Sequence, residues 1–235
     1  MGRFDEASEQ FSLVIRLLED KKISSEFYRD AIMNLGVAFQ KKEEYKTSKI
    51  YLDRALTLER EELKRKSKEL NSHENSGFPF SKRYRYMGQW YYSQEIFDNA
   101  LIYYDSSLRN GIRNYVGELL DPPTENNADL SFNTLLTLKS KQLTLEELYI
   151  QQQLDSIELL FSAVKHAEIT HEFLMQNRLQ LQASEGKLFL SDNFKNLYES
   201  ALNSLAGLAR QNNRAAQIVL ASIAVNGNLH THVTS

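Results

Sequence analysis

The sequence predicts an all-α protein built from antiparallel helix pairs stacked on one another. Three observations lead there: apolar residues recur at steps of three and four along most of the chain, turn residues are scarce, and one pattern of large, small and aromatic residues occurs twice. Nine glycines and three prolines among 235 residues are few for a sheet protein, which needs many turns. Leu, Glu, Lys, Gln and Ala, which lose little on entering a helix, fill the stretches between.

Taken in order, Phe4, Ala7, Phe11, Val14, Ile15 and Leu18 mark one face of a first helix, and Lys21 to Ser25 break it. A second helix follows a serine cap at Ser24 or Ser25 and runs to about Lys41; Lys42 to Glu44 make a turn. A third starts at Tyr45 with Ile50, Leu52, Ala55 and Leu56. It continues into Glu59 to Lys66, where acids precede bases as the helix dipole favours, and that charge run reads as a solvated extension. Asn71 to Pro79 is a loop, helices are expected over 81–93 and 96–110, and Gly111 stands where a C-cap belongs.

The run Asp121-Pro122-Pro123-Thr124-Glu125-Asn126-Asn127 is the densest turn signal in the chain. It divides the sequence into a repeat region, 1–115, a turn-rich linker, 116–142, and a C-terminal helical region, 143–235. Within the last, Thr144-Leu145-Glu146-Glu147 has the form of a capping box opening a helix, and a long helix is expected inside 155–183. Phe194, Leu197, Ala201, Leu205 and Leu208 mark another, and a short helix over 214–225 precedes a frayed tail.

Composition narrows the function classes. A net charge of −3 and a pI near 6.0 argue against a dedicated nucleic-acid binder, which carries a basic surplus. Without cysteine there are no disulfides, thiolate metal ligands or cysteine nucleophiles. No signal peptide and no apolar run of about 18 residues is present, so a cytoplasmic chain with no membrane partner is expected.

The repetition carries the most information. Leu35-Gly36 is followed by Phe39, Ser48, Leu52 and Ala55; Met87-Gly88 is followed at the same spacings by Tyr91, Ala100, Tyr104 and Ser107. This pattern resembles the tetratricopeptide repeat, in which a large residue and a glycine lie midway along a first helix and small residues line a second. The resemblance covers residues 1–110. The usual proline at the repeat end is absent, and about 18 extra residues separate the two copies relative to the family's period. Residues 216–227 are similar to the first helix of Sel-like repeats.

The resemblance implies a superhelix with a concave groove that binds a partner peptide or helix, and so an adaptor or scaffold. Groove-facing positions would be Asp30, Met33, Asn34, Val37 and Gln40 in one repeat and Lys82, Arg85, Tyr86, Gln89 and Tyr92 in the next. Some members of the family clamp a terminal carboxylate with Asn and Lys. Asn34 and Lys82 match two of those positions and Arg85 lies one residue from another; the alternative is that Lys82, Arg83 and Arg85 are simply exposed. Trp90, Tyr91 and Tyr92 cannot all point inward from one helix, and Tyr92 is expected in the groove. The same alignment makes 4–18 the second helix of an incomplete repeat. Its apolar face would then be buried against another subunit or the C-terminal half, or the chain is a piece of a longer protein.

Catalytic signals are sparse. Glu168-x-x-His171 has a spacing used in di-iron bundles but occurs once, and the stripe of Ile157, Phe161, Val164, Ala167 and Leu174 running past His171 suggests a half-buried core histidine. No phosphate loop, nucleophile elbow or dinucleotide fingerprint is present. A non-enzyme with no cofactor or metal is expected. Two alternatives stand beside the adaptor: a repeat regulator that senses a peptide or small ligand and acts through another protein, and a metal-dependent helical enzyme using Glu168 and His171.

Overall fold

In a computed structural model, residues 2–70, 78–124, 131–152, 157–180, 197–210 and 217 are described, and among them are eight α-helices and no strand. In chain order these are α1 (Gly2–Asp20), α2 (Glu26–Lys41), α3 (Tyr45–Leu70), α4 (Phe78–Ser93), α5 (Phe97–Gly111), α6 (Phe132–Gln152), α7 (Ile157–Gln180) and α8 (Leu197–Arg210). Two compact units divide between Gly111 and Ile112. No helix among the described residues is long and apolar enough to cross a membrane.

In the first unit each helix packs on the next. Ser25 caps α2, its Oγ accepting from the Tyr28 amide. Helices α2 and α3 are antiparallel, with Arg29 against Glu59 at one end and Phe39 stacked on Tyr51 near the other. Helices α4 and α5 repeat the arrangement 52 residues later in two contacts, the close approach at a glycine and a stack of two rings, while the pair of Arg29 with Glu59 has Ser81 and Gly111 at the equivalent positions. A Cβ on Gly36 would lie 3.0 Å from Leu52 Cγ, and one on Gly88 would lie 2.6 Å from Tyr104 Cε1. Phe39 stacks on Tyr51 at 5.5 Å and Tyr91 on Tyr103 at 5.1 Å, both with rings 15° apart. A side chain at Gly88 would force the Tyr104 ring to shift and one at Gly36 would press on Leu52, because the helices approach closely in both hairpins.

The turns repeat as well. Glu44 N–H donates to Phe39 O and Ile96 N–H to Tyr91 O, closing each first helix with a Schellman turn whose left-handed residue is Glu43 (φ 62°) or Glu95 (φ 58°). The turn after α1 has the same form at Lys22 (φ 53°). A residue with a Cβ is strained in this conformation. Glu95→Gly is therefore expected to stabilise the first unit by about 1 kcal/mol, checked by urea unfolding. Gly111, by contrast, is the last residue of α5 and lacks a positive φ; the left-handed residue beyond α5 is Asn114.

The charge run of α3 is not wholly solvated. Glu59 follows Leu52, Ala55 and Leu56 on the buried stripe, and its carboxylate meets Arg29 Nε at 3.0 Å and Arg83 Nη2 at 2.9 Å, with all three side chains buried. On the other side of α2, Glu19 accepts from Tyr28 Oη at 2.8 Å and from Arg54 Nη2 at 2.6 Å, joining α1, α2 and α3.

In the second unit α7 packs on α6, and α8 packs on both. Helix α6 is capped by Ser131, whose Oγ accepts from the Thr134 amide. It thus starts inside the stretch read as linker. Thr144 does not open a helix: it is buried within α6, where its hydroxyl donates to Ser140 O. The segment before α6 is lashed to the helices through two carbonyls. Tyr115 Oη and Lys141 Nζ both donate to Asp121 O, at 2.6 and 3.3 Å, and Ser162 Oγ donates to Leu120 O. The described start of the proline-rich run thus packs at Asp121, whose carbonyl finds donors in the buried Tyr115 and Lys141. Residues 125–130, Phe194 and the helix expected over 214–225, apart from Gln217, lie outside the described residues.

Candidate functional site

Helices α2 and α4 run parallel. Asp30, near the start of α2, meets Lys82 Nζ at 3.5 Å and Arg83 Nη2 at 3.3 Å near the start of α4. Gln40, near the end of α2, donates through Nε2 to Gln89 O at 3.0 Å and Ser93 Oγ at 3.2 Å near the end of α4. Two first helices of successive hairpins therefore lie side by side, tied at both ends by polar contacts. Between those ties α2 presents Asn34 and Val37, both half-buried.

The expected groove residues separate into two sets. Asn34, Val37, Gln40, Lys82, Gln89 and Tyr92 keep partial exposure, and the Lys82 side chain is 40% exposed. Tyr92 lies edge-on to the buried Phe97 ring at 5.3 Å. Arg85, however, is buried, with its guanidinium 4.3 Å from the centre of the Tyr86 ring, and Met33 is fully buried in the core. Arg83 is also buried, so neither arginine is an exposed cation. The sequence spacing brings Lys82 beside Asp30 and Gln40 beside Gln89; Arg85 it places in packing.

Beneath this face lies the group that sequence reasoning missed, Arg29, Glu59 and Arg83. Burial pushes the Arg83 pKa down, while the Glu59 and Asp30 carboxylates pull it up. Asp30 links this buried network to Lys82 at the surface. A signal was available: Glu59 follows Ala55 by four positions and Arg83 precedes Met87 by four, so each charge continues an apolar stripe.

His166 and Glu146 are two titratable groups of the second unit that burial shifts in opposite directions. His166 is fully buried, and its Nδ1 lies 2.8 Å from Ser162 O, which can only accept, so Nδ1 carries the proton. Burial first, then the charges of Lys141 and Lys165, hold its pKa well below the usual histidine value. Glu146 accepts from the hydroxyls of Ser200 and Ser204, one turn apart on α8, and burial raises its pKa against those bonds. His171 is not a core residue. It is exposed, with Nδ1 2.8 Å from Tyr198 Oη, while His166, five positions earlier, takes the buried place. Among the described residues no three His, Cys, Asp or Glu side chains converge as metal ligands would.

No protein-family model matches the chain, and no curated protein matches it.

Proposed function

We propose that the first unit is a tetratricopeptide-like array that binds a peptide or helix of another protein along the face of α2 and α4, and that the protein acts as an adaptor. The observation that carries this reading is the parallel pairing of α2 and α4, tied at Asp30 and Gln40, with Asn34, Val37 and Lys82 left accessible between and beside the ties. An amide, an apolar patch and a partly exposed ammonium suit an extended peptide with an acidic group. Lys82 can turn from Asp30 to a partner's carboxylate at little cost, since a 3.5 Å pair this exposed is weak.

Burial of Arg85 changes the choice of test. Its replacement would disturb the packing on Tyr86, so the informative variant is Asn34→Ala with Lys82→Ala. In affinity capture from a lysate of the native host, wild type should retain a protein that this variant loses by tenfold or more, on the order of 1.4 kcal/mol. Both chains should keep the same helical circular dichroism. Equal recovery by a folded variant would sink the groove assignment.

A further inference from the structure

We infer that α1 is a self-association surface through which two copies of this chain pair, antiparallel, about a twofold axis. Helix α1 is apolar on two sides. Ile15 faces the core with Phe11 and Leu18 packed beside it, and that side docks on α2. The opposite flank carries Leu13, Val14 and Leu17, which are 46%, 41% and 50% exposed. A helix with apolar residues on both flanks calls for cover on both. The later helix α3 has such cover: α2 lies on one side, and on the other α4 lies against it through Trp90 Nε1 donating to Tyr45 O and Arg83 pairing with Glu59.

Charge identifies a second copy as the occupant. Arg3, Glu6, Gln10, Leu13, Leu17 and Asp20 recur at alternating steps of three and four, the seam spacing of paired helices. In an antiparallel pair this seam meets itself in one register, with Arg3 opposite the partner's Asp20, Glu6 opposite Leu17, and Gln10 opposite Leu13. On one flank Glu9 then faces Arg16 of the other copy; on the other flank Ala7 faces Val14. Arg3 thus pairs with the partner's Asp20 at each end of the seam and Glu9 with Arg16 on one flank, while Glu6 meets the apolar Leu17. A parallel pair would place Arg3 on Arg3 and Asp20 on Asp20, and would align the helix dipoles unfavourably. A twofold pair also closes on itself and leaves no open end for further addition.

The test is sedimentation velocity of the full chain from about 2 to 200 µM, a range suited to a small interface. Wild type should pass from monomer to dimer across it. Leu17→Glu, at an exposed position, should stay monomeric throughout with unchanged helical circular dichroism. Arg3→Asp and Asp20→Arg should each weaken pairing roughly tenfold. Their equimolar mixture should recover it, since the two variants are complementary at both ends. Wild type that is monomeric at every concentration, or a dimer indifferent to Leu17→Glu, would overturn the assignment of α1. Failure of the mixture to recover would overturn the antiparallel register.

Discussion

Glu59→Gln is expected to lower the stability of the first unit by about 3–5 kcal/mol, the scale seen when one member of a buried ion pair is removed. The carboxylate sits between Arg29 and Arg83, and the amide that replaces it cannot neutralise either. Asp30 remains near Arg83 at 3.3 Å, which tempers the loss on that side. Glu61→Gln, two positions on and exposed, should change stability by less than about 0.5 kcal/mol. The measurement is direct because Trp90 is the chain's one tryptophan and lies in the first unit, buried and bonded to Tyr45 O. Its fluorescence during urea unfolding therefore reports that unit. If Glu59→Gln unfolds at the wild-type urea concentration, the buried network is not formed in solution.

Acidification is expected to destabilise the second unit, with His166 as the cause. The folded state keeps this imidazole neutral below its ordinary pKa of 6.5, whereas the unfolded chain takes up a proton there. The stability it contributes is present above pH 6.5 and declines as pH falls toward the depressed folded pKa, by about 1.4 kcal/mol per pH unit for one proton. Protonation would place a second cation near Lys141, itself buried and held to Asp121 O, with Lys165 adding to the repulsion. Glu146 acts in the opposite sense: its pKa is raised from 4.5, so protonation as pH falls favours the folded state. Glu146→Gln should therefore steepen the acid loss. His166→Asn should flatten it, once compared at equal starting stability. Helical circular dichroism followed from pH 7.5 to 5 with Trp90 fluorescence unchanged would locate the loss in the second unit. A profile identical in His166→Asn would assign it elsewhere.

Much of the first unit was legible in the sequence because its signals are local. The Leu35-Gly36 and Met87-Gly88 positions lie where the hairpins approach closely, and the Ser25 cap bounds α2. Two features were misplaced for opposite reasons. Glu59 and Arg83 are buried because the apolar stripe carries them inward and each compensates the other across helices, which composition within one helix does not reveal. Thr144 has the residues of a capping box but lies mid-helix. Ser131 supplies the earlier cap, and the Thr144 hydroxyl satisfies itself on Ser140 O. The face of α2 and α4 was legible in part: periodicity picks out Asn34, Val37 and Lys82, yet the burial of Arg85 depends on the Tyr86 ring beside it.

The central claim, that the α2 and α4 face receives a partner, is tested most directly by hydrogen exchange on the chain with and without the protein it captures. Exchange should slow in residues 30–40 and 82–93 on binding, with α3 and α6 to α8 unchanged. Protection confined to α7 and α8, or to the outer side of α3 and α5 around Ile50 and Ile102, would contradict the account and move the binding surface there.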